Sequence, residues 1–91
     1  MSDACLDIET SFEGRLTVVG IYREDRGLLQ LVGREITREA ILDFLDGASV
    51  LLTYNGHRFD LPVIKEAIGL DLRALLPCRD LMHDCWAKGL Y

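Results

Sequence analysis

From Cys5 to Thr10 the chain alternates: Leu6 and Ile8 leave one side of an extended backbone, Asp7 and Glu9 the other. This is the period-two pattern of a β-strand with two unlike faces. The polar turn Ser11-Phe12-Glu13-Gly14 leads to Arg15 through Tyr22, rich in Val, Ile, Thr and Tyr, which suits a second strand. Glu24-Asp25-Arg26-Gly27 reads as a hairpin turn in which Gly27 is free to take positive φ, and Leu28 to Val32 follows as a third strand. Short turns between three strands predict an antiparallel meander.

The period then changes. Thr37 is placed to cap a helix, with Ile36 and Ile41 as a staple across its first turn. Ala40, Ile41, Phe44 and Leu45 form its apolar stripe, and Gly47 stands where a left-handed residue ends such helices. Val50-Leu51-Leu52-Thr53-Tyr54 is an apolar run too short for a helix and suits a strand buried on both faces, as in parallel sheets. After the loop Asn55-Gly56-His57-Arg58, a second helix is expected from Asp60. Asp60 serves there as its cap, Phe59 and Ile64 as its staple, Pro62 lies in the first turn, and Gly69 closes the helix. A fifth strand is expected within Leu75 to Leu81, weakened at its start by Pro77, and a third helix over Met82 to Lys88 anchored by Trp86. The order βββαβαβα describes an α/β chain: an antiparallel three-strand unit extended by parallel strands through helical crossovers.

At 91 residues the chain forms a single domain, 1–91, able to bury somewhat over ~60% of its unfolded surface. No apolar run approaches the roughly 20 residues that span a bilayer, and no basic-then-apolar leader opens the chain, so the expected location is cytoplasmic, without a membrane partner. Cys5, Cys78 and Cys85 are odd in number and unpaired in spacing, which argues against a disulfide framework. Cys78, His83 and Cys85 lie close together, but their spacing matches no usual structural zinc site and lacks a fourth ligand. A net charge of −5 argues against gripping nucleic acid along a broad basic surface; it leaves room for a compact site whose acids a cation neutralises.

Such a site begins with Asp7 and Glu9. Two like charges side by side repel unless a proton or cation sits between them. A hard divalent ion such as Mg²⁺ or Mn²⁺, which prefers oxygen ligands, is the simplest occupant. Solvent-facing acids on an edge strand account for this pair equally well by themselves. Likewise, Asp60 fits a helix cap, Asn55-Gly56 a common turn, and His57 an exposed loop residue.

The motif Asp7-Ile8-Glu9-Thr10, joined about fifty residues later by Asn55-Gly56-His57-Arg58-Phe59-Asp60-Leu61-Pro62, resembles the first two exonuclease motifs of the DEDD superfamily of 3′–5′ exonucleases. Its bacterial ribonuclease H-like branch, of the YprB type, is the nearest match. Cys78-Arg79-Asp80-Leu81-Met82-His83 resembles the fifth strand and following helix of that branch. The resemblance spans essentially the whole chain and implies a ribonuclease H-like mixed five-stranded sheet flanked by helices.

It also implies a function: two-metal hydrolysis of phosphodiester bonds at single-stranded DNA or RNA ends. Asp7, Glu9 and Asp60 would be the catalytic and metal-holding residues for two Mg²⁺ or Mn²⁺ ions. Asp7 would bridge both ions, Glu9 bind one, and Asp60 bind the other through water. Thr10, Asn55, Gly56 and Phe59 would contact the terminal nucleotide, with Phe59 packed beneath the site. Phosphodiester hydrolysis needs an activated water and a stabilised leaving oxyanion, and two ions roughly 4 Å apart supply both.

One departure stands out. Members of the family carry a fourth acid on a later helix, and none follows Tyr91; Asp80 and Asp84 come too early and in the wrong element to replace it. The expectation is a chain incomplete at its C-terminus, lacking the last helix or helices. One sheet face would then be partly uncovered, inviting a homodimer across it. A non-catalytic ribonuclease H-like module, binding nucleic acid or a protein partner, is the alternative reading.

Overall fold

The computed structural model describes residues 2–53 and 59–80. Five strands, β1 (Ser2–Thr10), β2 (Leu16–Arg23), β3 (Gly27–Val32), β4 (Ala48–Thr53) and β5 (Cys78–Asp80), form one mixed sheet in the order β3-β2-β1-β4-β5. β1, β2 and β3 are the expected antiparallel meander, while β4 runs parallel to β1 and β5 parallel to β4. Helices α1 (Arg38–Leu45) and α2 (Asp60–Ile68) make the connections on either side of β4. The expected third helix, over Met82 to Lys88, lies outside the described residues, as do Tyr54 to Arg58.

Register decides which side chains share a face. Ala4, Leu6 and Ile8 of β1 pair with Arg23, Ile21 and Val19 of β2, and Leu6 pairs with Thr53 on its other flank. This face carries the core: Ala4, Leu6, Ile8, Val19, Ile21, Leu31 and Leu51 pack with Ile41, Phe44 and Leu45 of α1 and Leu61 and Ile64 of α2. Both described helices therefore cover one face. The opposite face carries Asp3, Cys5, Asp7 and Glu9 of β1, and across β2 and β3 it leaves Tyr22, Leu28 and Val32 exposed.

The helix ends show what sets their limits. Thr37 caps α1 as expected, its hydroxyl accepting from Ala40 N–H at 3.2 Å. At the other end the carbonyls of Phe44 and Asp46 are met by Arg23, whose Nη1 donates to them at 2.9 and 2.6 Å. A cation at a helix C-terminus also complements the helix dipole. Arg23 is only 3% exposed, and Asp25 balances its charge through bonds of 3.0 and 2.9 Å from Nε and Nη2. Arg26, from the same turn, donates to the Asp43 carbonyl at 2.6 Å and lies 5.0 Å over the Phe44 ring.

α2 departs from expectation at its start. Phe59 occupies the cap position, with no side-chain capping bond, and Asp60 is the first helical residue. Gly69 ends α2 in the left-handed conformation, φ 68°, where a Cβ is disfavoured. The fifth strand is shorter than expected, beginning at Cys78 just after Pro77, whose ring nitrogen has no hydrogen to donate to a ladder.

Candidate active site

The site lies at the end of the described part of β4. Thr53 pairs with Leu6, so Asp7 directly follows the last described pair between β1 and β4. From there β1 continues to Thr10 along its antiparallel partner β2. Asp7 and Glu9 project from the face opposite the core, as the alternation predicts, and both are exposed. Opposite Asp7 on β2 stands Gly20, so no side chain crowds that carboxylate from its antiparallel partner. Between Glu9 and Thr10 the register shifts: Glu9 pairs with Val18 but Thr10 with Leu16. The extra residue, Thr17, donates its hydroxyl to the Glu9 carbonyl at 3.0 Å. A bulge of this kind bends the strand that carries the extra residue, here β2 where it faces the half-buried Thr10.

Asp60 reaches the same edge from the other side of the chain. It opens α2, whose Leu61 and Ile64 are anchored in the core, and it is 5% exposed. Burial pushes its carboxyl up to about 6, and the negative charges of Asp7 and then Asp80 push in the same direction. Asp7 and Asp60, about fifty residues apart in sequence, are thus brought within electrostatic reach of one another. Glu9 follows two positions along the same strand face as Asp7.

One assignment changes: Asp60 is not the helix cap, so capping does not explain its carboxylate. Phe59, expected beneath the site, directly precedes Asp60 and is 45% exposed. Asn55, Gly56 and His57 lie outside the described residues, as do His83 and Cys85 of the cysteine-histidine cluster. Cys78 is half-buried, its thiol directed to the carbonyls of Leu76 and Leu72 at 3.4 and 3.8 Å, and burial pushes its pKa up. A raised pKa disfavours the thiolate form in which cysteine binds metal.

Among the described residues no three His, Cys, Asp or Glu side chains are gathered closely enough to ligate one metal ion directly. The donor set nevertheless suits a hard divalent cation in kind and in sign. Its members are carboxylate oxygens, and Asp60 is held partly desolvated next to other negative charge, a state that a cation relieves. A hydroxyl without a partner among the described residues, Thr53 Oγ1, is buried beside this edge, next to the β1 register position before Asp7. Sequence reasoning passed over both Thr53 and the influence of Asp80; the sign available there was only their position at the C-terminal ends of parallel strands, where α/β sheets carry their sites.

Residues 4–91 match the family model of the RNase H superfamily. No curated protein matches the chain. Among solved structures, that of the family B DNA polymerase from the hyperthermophilic archaeon Pyrobaculum calidifontis is similar with a TM-score of 0.59 at 18% identity, over 74% of this chain and 11% of the polymerase. At that identity the likeness speaks for the fold, and this chain spans about a ninth of the polymerase's length. Among the described residues, no helix is long and apolar enough to cross a membrane.

Proposed function

Because the chain belongs to the RNase H superfamily, we propose that it is a 3′–5′ exonuclease of the YprB-type DEDD branch, hydrolysing phosphodiester bonds at single-stranded DNA or RNA ends. Membership supports a nuclease-type function, and nucleases of this superfamily generally use divalent metals. The finer reading gives Asp7, Glu9 and Asp60 the task of holding two ions, Mg²⁺ or Mn²⁺. When bound, such ions supply a water activated for attack and stabilise the leaving oxyanion.

The observation that carries this reading is Asp60, buried at the start of α2 within reach of Asp7, with its carboxyl pushed up to about 6. Asp7 and Glu9 come from a rigid central strand and Asp60 from a helix anchored by Leu61 and Ile64, so the donors are held on fixed elements. Phe59, half-exposed at the rim, offers a ring face on which a terminal base can stack, a contact that tolerates any base. Thr10, which faces the bulge in β2, ends the same strand as Asp7 and Glu9. Asn55 and Gly56, in the segment joining β4 to α2, complete the proposed contacts to the nucleotide.

The test is incubation of 5′-labelled single-stranded DNA and RNA with the chain in Mn²⁺, beside Asp7→Asn. Stepwise shortening from the 3′ end that is lost in the variant is the expected result. Neither shortening nor Mn²⁺ binding at millimolar concentration would remove the reading. The net charge of −5 favours the second reading, a ribonuclease H-like binding module without catalysis; it predicts partner binding that Asp7→Asn leaves unchanged.

A further inference from the structure

Thr53 and Asp80 are neighbours across the sheet, the last residue of β4 against the last residue of β5. In a parallel pair the two side chains leave the same face, and register places them on the face that Leu6 shares and α2 covers. Asp60 opens α2 over that same end of the sheet, and the charge of Asp80 reaches it. Thr53 is 1% exposed and, among the described residues, its Oγ1 has no hydrogen-bond partner. A buried hydroxyl in that state is destabilising on its own account, so the hydroxyl asks for a ligand.

We propose that Asp80 and Thr53 belong to the cation site. Asp80 adds its charge to the hold of Asp7 and Asp60 on a hydrated divalent cation, and the Thr53 hydroxyl hydrogen-bonds a water of that cation's shell. The proposal rests on the nuclease reading above and deepens it. It also reconciles two findings. The described acids are not close enough for three of them to ligate one ion directly, yet the charges of Asp7 and Asp80 both act on Asp60. Mg²⁺ gives up its waters reluctantly and binds through one or two carboxylates, with the remaining donors reached through water. Groups just outside direct reach, together with a hydroxyl that lacks a partner, suit that mode of binding.

Calorimetric titration of Mn²⁺ into the 91-residue chain tests this, with Asp80→Asn, Thr53→Val and Asp7→Asn measured alongside. Each protein's melting temperature is also recorded with chelator and with Mn²⁺. The expected result is a loss of affinity of about tenfold or more in Asp80→Asn, in the range known for groups that support a metal from outside its direct ligands. In Thr53→Val, melting in chelator should rise, because the hydroxyl without a partner is gone, while the upward shift produced by Mn²⁺ should shrink. A merely structural threonine would raise melting equally in both conditions. Should Asp80→Asn fail to fold, the Thr53→Val comparison decides. Wild-type affinity in both variants, with binding lost in Asp7→Asn, would overturn the proposal and leave the nuclease reading standing. Absence of Mn²⁺ binding by the wild-type chain would overturn both.

Discussion

Asp60, the first residue of α2, is buried within electrostatic reach of Asp7, the β1 residue next after Leu6, which pairs with Thr53. The pairing sets a cost in the metal-free protein that depends on pH. An ordinary aspartate of this kind titrates at 3.8, and Asp60 in the folded chain at about 6. Between those values the native state holds a proton that the unfolded state has released. Stability contributed by the protonated carboxyl is therefore full below 3.8 and lost as pH rises through about 6. In chelator, urea unfolding should show wild type losing stability over that interval relative to Asp60→Asn. At pH 7.5 the variant should be the more stable by about 1–3 kcal/mol, the upper bound being two pKa steps of 1.36 kcal/mol each. Parallel pH profiles for the two proteins would contradict the assignment.

The causes of the Asp60 shift are ordered, and the order is measurable. Burial comes first, then Asp7, then Asp80. Carboxyl-carbon NMR titration of Asp60 should therefore show a lower midpoint in Asp7→Asn and a smaller decrease in Asp80→Asn. Neither should return to 3.8, because the burial remains. A full return in Asp7→Asn would mean that charge, not desolvation, dominates the site.

The strands and α1 were legible because their signals are local. Alternation marks β1, β-branched residues mark β2, and Thr37 followed by an apolar stripe marks α1; each reports on neighbours a few positions away. Asp60 was misjudged for the same reason. Its sequence context is that of a cap, whereas its place is decided by α2 docking on the sheet through Leu61 and Ile64. Arg23 lay beyond sequence reading too. It closes an apparently apolar strand, and its burial depends on the distant Phe44 and Asp46 carbonyls, which the sequence does not place beside it. Asp80 was set aside on its position in the chain; what matters is that β5 adjoins β4, which brings it beside Thr53.

Gly20 tests the openness of the site beside Asp7. A Cβ there would meet only the Asp7 backbone oxygen within 4 Å, at 3.8 Å, an ordinary contact. Gly20→Ala should fold as well as wild type or slightly better, since glycine within a strand costs about 0.5–1 kcal/mol relative to alanine, and it should bind Mn²⁺ unchanged. Gly20→Leu fills the space opposite the Asp7 carboxylate and should weaken Mn²⁺ binding while the far-UV circular dichroism stays that of wild type. Equal affinity in the leucine variant would show that Asp7 engages the cation away from its β2 partner.

Arg23 ties the three-strand unit to the helix that leads into β4. Its Nη1 meets the Phe44 and Asp46 carbonyls at the end of α1, and its remaining nitrogens meet Asp25. Arg23→Met keeps the apolar stem but removes the donor to the Asp46 carbonyl, leaves the Phe44 carbonyl only the longer 3.3 Å bond from Arg26, and breaks the ion pair with Asp25. Removing one member of a fully buried ion pair costs about 3–5 kcal/mol. Asp25 is half exposed and can recover water, so the expected loss is about 2–3 kcal/mol by urea unfolding. Because α1 precedes β4, which carries Thr53, loosening its C-terminus should also increase hydrogen exchange at Ala48 to Thr53 more than in β2. A destabilisation below about 0.5 kcal/mol, with exchange in β4 unchanged, would show that the arginine merely fills space and that α1 holds its end without it.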